Sequence, residues 1–389
     1  MDETKKLQKI PLAGIRKVFE KAKRLEAQGR KIIHLEIGRP DFDTPAAVKA
    51  EAVKALEEGF VHYTSNYGMD ELREAVADKL RRENNLDYRA SEIIITAGAS
   101  MGIAAAILGL VEEGDEVLVP APAYPAYRKQ VRLAGATPVE VPLKLRDDFR
   151  INAEELADLY NSRTKLLIIN SPHNPTGTLL GRENLREIAG FVRSHDIMVL
   201  SDECYENIIF GKNSHYSIAG LPGMKEKTLL VNSTSKSFSM TGWRIGFLAS
   251  SQEIIDSVIK VPQNISICPT SFAQRGAIKA YQRGRELSRE MMKVLNTRKE
   301  IVVDALRGIP ELKYAEPQGA LYLFPEVTGT GLSSQEFSDY LLEEAGIAVT
   351  PGDDFGEAGR GFVRIAFSCS TEELREAMVR LKSAVKNLN

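Results

Sequence analysis

Short aliphatic runs alternate along this chain with stretches whose apolar residues recur at helical spacing. Ser91–Thr96 (SEIIIT), Val117–Val119, Lys165–Asn170 (KLLIIN), Ile197–Asp202 (IMVLSD), Thr228–Asn232 (TLLVN) and Arg244–Ala249 (RIGFLA) read as buried strands. Between them Leu72, Val76 and Leu80 share one helical face, as do Leu185, Ile188, Ala189 and Val192. The alternation predicts βαβ units, hence an α/β fold with a mostly parallel sheet sandwiched by helices. The two ends read differently. Residues 1–45 hold one helix-like segment, Ile15–Ala27, followed by loop. From about residue 285 long helices dominate; Leu374, Met378, Leu381, Val385 and Leu388 keep helical spacing behind a Ser370/Glu373 capping box. One strand-like run, Phe362–Phe367, precedes that helix. The pattern therefore predicts a large α/β domain at 46–285 and a smaller, discontinuous α+β domain made from 1–45 plus 286–389.

Composition narrows the classes. The 389 residues carry 51 Lys+Arg against 53 Asp+Glu, a net charge of −2, without the basic excess of a nucleic-acid binder. A hydrophobic fraction of 43% with 27% charged residues is ordinary for a globular protein. Cys204, Cys268 and Cys369 form no CxxC pair, which speaks against a disulfide framework or a zinc site and for a reducing compartment. The start, MDETKKLQKI, has no apolar stretch after its charges and does not read as a signal peptide. The longest apolar run, Met101–Val111, is far short of the roughly 20 residues that span a bilayer. The expectation is a cytoplasmic protein with neither a nucleic-acid nor a membrane partner and no metal.

Ligands of open α/β sheets bind beyond the carboxyl ends of the strands, so the residues after each strand matter most. SEIIIT is followed by Gly98-Ala99-Ser100-Met101-Gly102. These small residues suit an anion at a helix N-terminus, and also match G-x-S-x-G, the nucleophile elbow of serine hydrolases. KLLIIN is followed by Asn174-Pro175-Thr176-Gly177, which taken alone is a turn. IMVLS runs into Asp202-Glu203-Cys204-Tyr205; a lone aspartate there reads equally as an N-cap or a structural ion pair. TLLVN runs into Ser233-Thr234-Ser235-Lys236, with Arg244 eight positions on. A lysine among hydroxyls at a sheet edge is either a solvated charge or an activated nucleophile.

Taken in order, NPTG, D-x-x-Y, S-x-S-K and G-x-R-x-G resemble the class I/II aminotransferases of pyridoxal-phosphate fold type I. The resemblance spans nearly the whole chain. Gly38-Arg39-Pro40-Asp41-Phe42, Tyr63-Thr64 with Gly68 and Leu72-Arg73, Pro122-x-Tyr124-Pro125-x-Tyr127, Pro317-x-Gly319-Ala320-x-Tyr322, Pro351-Gly352-x-x-Phe355-Gly356 and Val363-Arg364-Ile365-Ala366-Phe367 extend it. The resemblance implies pyridoxal 5'-phosphate as cofactor, bound by the large domain, and transfer of an amino group between an L-amino acid and a 2-oxo acid. Lys236 would hold the cofactor as a Schiff base and move the α-proton. Asp202 would keep the pyridine nitrogen protonated. Asn174 and Tyr205 would bond the phenolic oxygen, and Tyr124 would stack on the ring. Gly98, Ala99, Ser100, Ser233, Ser235 and Arg244 would hold the phosphate. Tyr63 would reach that phosphate from a neighbouring subunit, implying a homodimer with shared sites. Arg364 would clamp the substrate carboxylate, helped by Gly38 and Asn174. Tyr127 and Tyr322 are read as packing residues.

Two departures bear on the substrate. Ser100 stands where some aspartate-specific relatives carry a lysine, and no arginine lies in Asn264–Thr270, where others present one. Arg39 is then a candidate for a distal carboxylate, or a plain surface arginine. Two rival readings remain. A C–S β-lyase or another fold type I enzyme shares the same cofactor residues, and a serine hydrolase would use Ser100, Asp202 and His215 in the required chain order. On the favoured reading, the purified protein is expected to turn yellow with pyridoxal phosphate, and Lys236→Ala to lose the covalent link. A wild-type protein without visible absorbance after incubation with the cofactor would contradict it.

Overall fold

The computed structural model describes residues 3–8, 10 and 14–388, so of the opening segment MDETKKLQKI only residues 1, 2 and 9 lie outside the described residues. A seven-stranded sheet dominates. Its strands are β2 (Ile93–Thr96), β3 (Glu116–Ala121), β4 (Thr137–Pro142), β5 (Thr164–Asn170), β6 (Met198–Asp202), β7 (Thr228–Ser233) and β8 (Gly246–Ala249), in the order β2-β8-β7-β6-β5-β3-β4. β3, β4, β5, β6 and β7 pair in parallel, while β8 runs antiparallel to both its neighbours. The fold is α/β with a mostly parallel central sheet flanked by helices. Alternate residues leave each strand on opposite faces. Ile94, Leu166, Ile168 and Val231 pack with Ile103 and Ile107 of the helix Ala99–Leu110. On the other face Leu167, Ile169 and Val199 pack with Leu185, Ile188 and Val192 of the helix Arg182–His195. Burial on both faces explains why the strands read as unbroken aliphatic runs.

Some boundaries depart from the expected ones. The strand expected over Arg244–Ala249 begins at Gly246, because Arg244 takes a left-handed φ of 57° and leaves the ladder. The strand expected over Ser91–Thr96 begins at Ile93, after a 3-10 turn at Ala90–Glu92. Leu388 lies past the end of the helix Thr371–Lys386. β4 has no counterpart among the expected strands. It is an edge strand carrying Pro138 and Pro142 with only Val141 buried among its apolar residues, so it shows neither an aliphatic run nor a fully buried face.

The C-terminal third builds a second core. β9 (Tyr322–Leu323), β11 (Thr350–Pro351) and β12 (Val363–Ala366) form an antiparallel sheet. It packs with the helices Arg289–Arg307 and Thr371–Lys386 around Leu295, Phe337, Ile365 and Leu381. The capping box is present: Ser370 Oγ accepts the Glu373 N–H, and the Glu373 carboxylate accepts the Ser370 N–H. The N-terminal segment is stitched into this part of the molecule. β1 (Ile33–His34) pairs with β10 (Ile347–Ala348), and the Ala366 N–H donates to the Leu35 carbonyl at 2.7 Å.

β1 also carries a titratable contact. His34 Nδ1 lies 2.7 Å from an oxygen of the fully buried Glu36, and its Nε2 lies 3.2 Å from Glu26. The Glu36 hydrogen bond outweighs burial and raises His34 from 6.5 to about 9. Charged His34 therefore stabilises the fold fully below pH 6.5, and that contribution fades as pH rises through about 9. Urea unfolding across this range is expected to show stability falling with pH in the wild type and a flatter profile in His34→Gln. An undiminished slope in the variant would assign the effect elsewhere.

Candidate active site

The carboxyl ends of the parallel strands open into a cavity of about 440 Å³. Strand order reverses between β3 and β5, the position where open α/β sheets bind ligands. β5 ends at Asn170, β6 at Asp202 and β7 at Ser233, so the chemistry-bearing residues follow directly from the strand ends. Asp202, Tyr205, Asn174, Tyr124, Ala99, Ser100, Ser233, Ser235, Lys236, Arg244, Gly38 and Arg364 all line the cavity. Gly98 lies just behind the lining and Tyr63 does not reach it. Tyr63 is 82% exposed.

Asp202 is buried. The Tyr127 hydroxyl donates to its Oδ2 at 2.7 Å and the Cys204 N–H to its Oδ1 at 3.1 Å. Burial raises its proton affinity, and these two donors only partly offset that. No cation lies within ion-pair reach of it among the described residues. Lys236 sits in the short helix Thr234–Ser237, whose N-cap Ser233 accepts the Ser235 N–H. Its Nζ donates to the Gly38 carbonyl at 2.5 Å and lies 5.8 Å from the centre of the Tyr205 ring. Gly38 must be glycine, since a Cβ there would run into the Tyr322 hydroxyl. The Tyr205 and Tyr322 hydroxyls are 2.7 Å apart, and burial pushes the Tyr205 phenol well above its usual range.

At the other end of the cavity the helix Ala99–Leu110 begins; the Met101 N–H donates to the Gly98 carbonyl, and the Ala99 and Ser100 N–H groups stand at the open N-terminus, where an α-helix leaves its donors without intrahelical acceptors. Arg244 folds over this turn, donating to the Thr241 and Ala97 carbonyls at 2.9 and 3.3 Å. A side chain at Gly98 would collide with its guanidinium, and Gly98 also has φ 78°. Arg364, on β12, is only 4% exposed. It donates to Asn174 Oδ1 at 3.0 Å and to the Glu36 carbonyl at 2.6 Å. The faces of Tyr322 and Phe355 flank it at 4.4 and 5.1 Å. Its Nε is buried without a partner. All of these partners are neutral, so a buried cation stands beside the cavity without an anion.

These groups fit pyridoxal phosphate with an amino acid. The unpaired Asp202 carboxylate suits a protonated ring nitrogen, Lys236 a carbonyl carbon, the Ala99 helix N-terminus with Arg244 a phosphate, and Arg364 a carboxylate. Several lining residues were not singled out by the sequence, or were set aside. Tyr127 and Tyr322 were read as packing residues, yet both line the cavity and hydrogen-bond Asp202 and Tyr205. Asn170 joins Asp202 to Asn174: its Nδ2 donates to the Asp202 carbonyl and its Oδ1 accepts the Asn174 N–H. A polar residue ending an aliphatic run was the available signal for Asn170. Ile15, Ile103 and Thr241 also line the cavity without any chemical signature. The hydrolase arrangement does not assemble. His215 bonds Glu203 at 2.8 Å, not Asp202, and lies outside this cavity. Arg39 is exposed and likewise does not line it.

Comparison with known proteins agrees with this chemistry. A model of the family "Aminotransferase class I and II" matches residues 30–381. The chain is 44% identical over 377 residues to an aspartate aminotransferase of Pyrococcus abyssi, covering 96% of this chain and 95% of the relative. It is 41% identical over 386 residues to aromatic-amino-acid aminotransferase 2 of Thermococcus litoralis, covering 98% and 97%. The crystal structure of an aromatic aminotransferase from Pyrococcus horikoshii superposes with a TM-score of 0.90 at 43% identity, covering 94% of this chain and 98% of the other.

Tyr127→Phe tests the support of Asp202. Removing one hydrogen bond to a charged group, about 1.5 kcal/mol, is expected to lower kcat about tenfold. KM for the amino substrate should shift little, because Tyr127 does not touch Arg364. Steady-state kinetics decides, and an unchanged kcat would mean that Asp202 is held adequately without the phenol.

Proposed function

The chain belongs to the class I and II aminotransferases and is a pyridoxal-phosphate-dependent aminotransferase; from that premise we propose an L-amino acid with an uncharged, preferably aromatic, side chain as its donor. The observation that carries this preference is the inventory of cations. Among the described residues lining the cavity, the cations are Lys236, Arg244 and Arg364, and each has a task. None is left for a distal carboxylate, while Ile15, Tyr124 and Tyr322 supply apolar surface.

The proposed division of labour follows the geometry. Bound pyridoxal phosphate would supply the carbonyl that accepts the amino group and a ring that takes up the electrons of the α C–H bond. Lys236 Nζ is the group that holds the cofactor and carries the α-proton, poised at the Gly38 carbonyl when unengaged. Asp202, fixed by Tyr127 and Cys204, holds a proton at the ring nitrogen. Tyr205 and Asn174 orient the phenolic oxygen, and Tyr124 covers the ring face. Gly98, Ala99, Ser100, Ser233, Ser235 and Arg244 hold the phosphate. Arg364, already bonded to Asn174, binds the substrate carboxylate with Gly38 beside it and so sets the angle of the α C–H bond.

The proposed active form is a homodimer in the cytoplasm. Tyr63 lies on an exposed segment with Val61, and Ile265 and Ile267 are also exposed apolar residues; a second copy covering them would receive Tyr63 at its own phosphate site. Among the described residues no helix is long and apolar enough to cross a membrane. Residues 46–285 are proposed as the cofactor-binding domain, with 1–45 and 286–389 as the second. The contacts of Leu35 with Ala348 and Ala366 support joining the two ends.

The test is a panel of amino donors with 2-oxoglutarate and pyruvate as acceptors. A buried charge left without a partner discriminates strongly, so kcat/KM for phenylalanine or tyrosine is expected to exceed that for aspartate by at least about tenfold. A preference for aspartate would overturn the proposed specificity and direct attention to a cation from the second subunit.

A further inference from the structure

Along Asp202–Glu206 the chain divides its side chains between the cavity and the space behind it. Asp202, Cys204 and Tyr205 line the cavity, whereas Glu203 and Glu206 do not. Behind it, Glu206 and Lys79 are both buried and form an ion pair. Lys79 comes from the helix Asp70–Asn84. Its Nζ also donates to Asn84 Oδ1 at 2.7 Å, and Asn84 Nδ2 donates to Glu206 Oε2 at 2.6 Å, closing a ring of three side chains. Glu203, Glu206 and His215 bring their ligand atoms within 4.8 Å of one another, an arrangement that invites a metal ion. Here the Lys79 ammonium already sits on Glu206, and the Glu203 oxygens accept from Ser201, Ser217 and His215.

A fourth residue leads back to the cavity. Asn232 Nδ2 donates to Glu206 Oε1 at 2.6 Å, and Asn232 Oδ1 accepts the Ser233 N–H at 2.6 Å. Burial alone would favour protonated Glu206, but the Lys79 charge and its hydrogen bonds pull it below its usual range. Glu206 is therefore an acceptor only. An asparagine beside it must present its NH₂, which leaves its carbonyl oxygen for Ser233. A buried ion pair contributes little net stability against well-packed apolar side chains. What this one does is impose a single orientation on Asn232.

We propose that Asn232, oriented by the Lys79–Glu206 pair, is a positioning residue for the phosphate-binding turn Ser233–Lys236. This rests on the reading above that the turn holds the cofactor phosphate. Ser233 caps the helix that carries Lys236, so a fixed Ser233 sets both its own hydroxyl and the Ser235 N–H and side chain. Arg244 and the Ala99 helix meet the phosphate from elsewhere, so loss of Asn232 weakens binding rather than abolishing it.

The test compares Asn232→Ala with Asn84→Ala, which opens the same ring on the side away from Ser233. Apoproteins are titrated with pyridoxal phosphate and with pyridoxal, which has no phosphate, and melting temperatures are recorded. Asn232→Ala is expected to raise Kd for pyridoxal phosphate roughly five- to tenfold, the worth of one hydrogen bond, and to leave Kd for pyridoxal within about twofold. Asn84→Ala is expected to lower the melting temperature while keeping both Kd values. Asn232→Leu, close in volume, gives the same reading should the alanine variant not fold. An unchanged Kd for pyridoxal phosphate in the Asn232 variants, or an equal loss for both ligands, would overturn the proposal. Failure of the underlying assignment looks different: wild-type apoprotein would then bind pyridoxal and pyridoxal phosphate equally.

Discussion

Keeping unlike charges apart in a buried space is the constraint on which this molecule depends. Asp202 is a buried carboxylate without a cation, and Arg364 a buried guanidinium without an anion. Either would be relieved by meeting the other, or by meeting Lys236. The fold prevents this by mounting them on different elements: Asp202 ends β6, Lys236 follows β7, and Arg364 lies on β12. Each is held by neutral donors or acceptors that satisfy geometry without cancelling charge. The unfavourable electrostatics of the free protein become complementary when a cofactor and an amino acid bring their own charges.

The two-core architecture follows from that separation. In the proposed arrangement the parallel sheet supplies the cofactor end, because its strand ends converge on one line and helix N-termini are directed there. A single sheet edge cannot also enclose a substrate from above. The chain solves this by returning: the segment after β1 brings the Gly38 carbonyl to Lys236, and β12 brings Arg364 to Asn174. The Glu36 carbonyl accepts from Arg364 itself, so the N-terminal segment and the C-terminal sheet hold the same guanidinium. Anything that loosens β1 reaches the substrate end through this bond.

The large sheet was legible in the sequence because strands buried on both faces leave unbroken aliphatic runs. The chemistry that follows them was legible where motif residues stand at the ends of those runs, as at Asp202 and Ser233; Asn170, which also ends a run, was not singled out. β4 was not, since an edge strand needs no such run and tolerates Pro138 and Pro142. The roles of Tyr127 and Tyr322 were not, because a buried tyrosine has the same apolar ring whether it packs or donates a hydrogen bond. Only the position of its hydroxyl separates the two, and the chain order says nothing of that. Nor could any local pattern reveal that Lys79, Glu206 and Asn232, far apart in sequence, close on one another behind the cavity.

The sequence alone thus determined the fold class and the order of the motifs, properties carried by contiguous residues whose local environment is set by burial, while the cofactor chemistry came from the resemblance those ordered motifs bear to a known family. The tertiary structure decided which charges stay unpaired, which tyrosines support the site, and that Arg39 and His215 stand outside it. Those are matters of distance between segments, and distance is settled only when the two ends of the chain pack around one cavity.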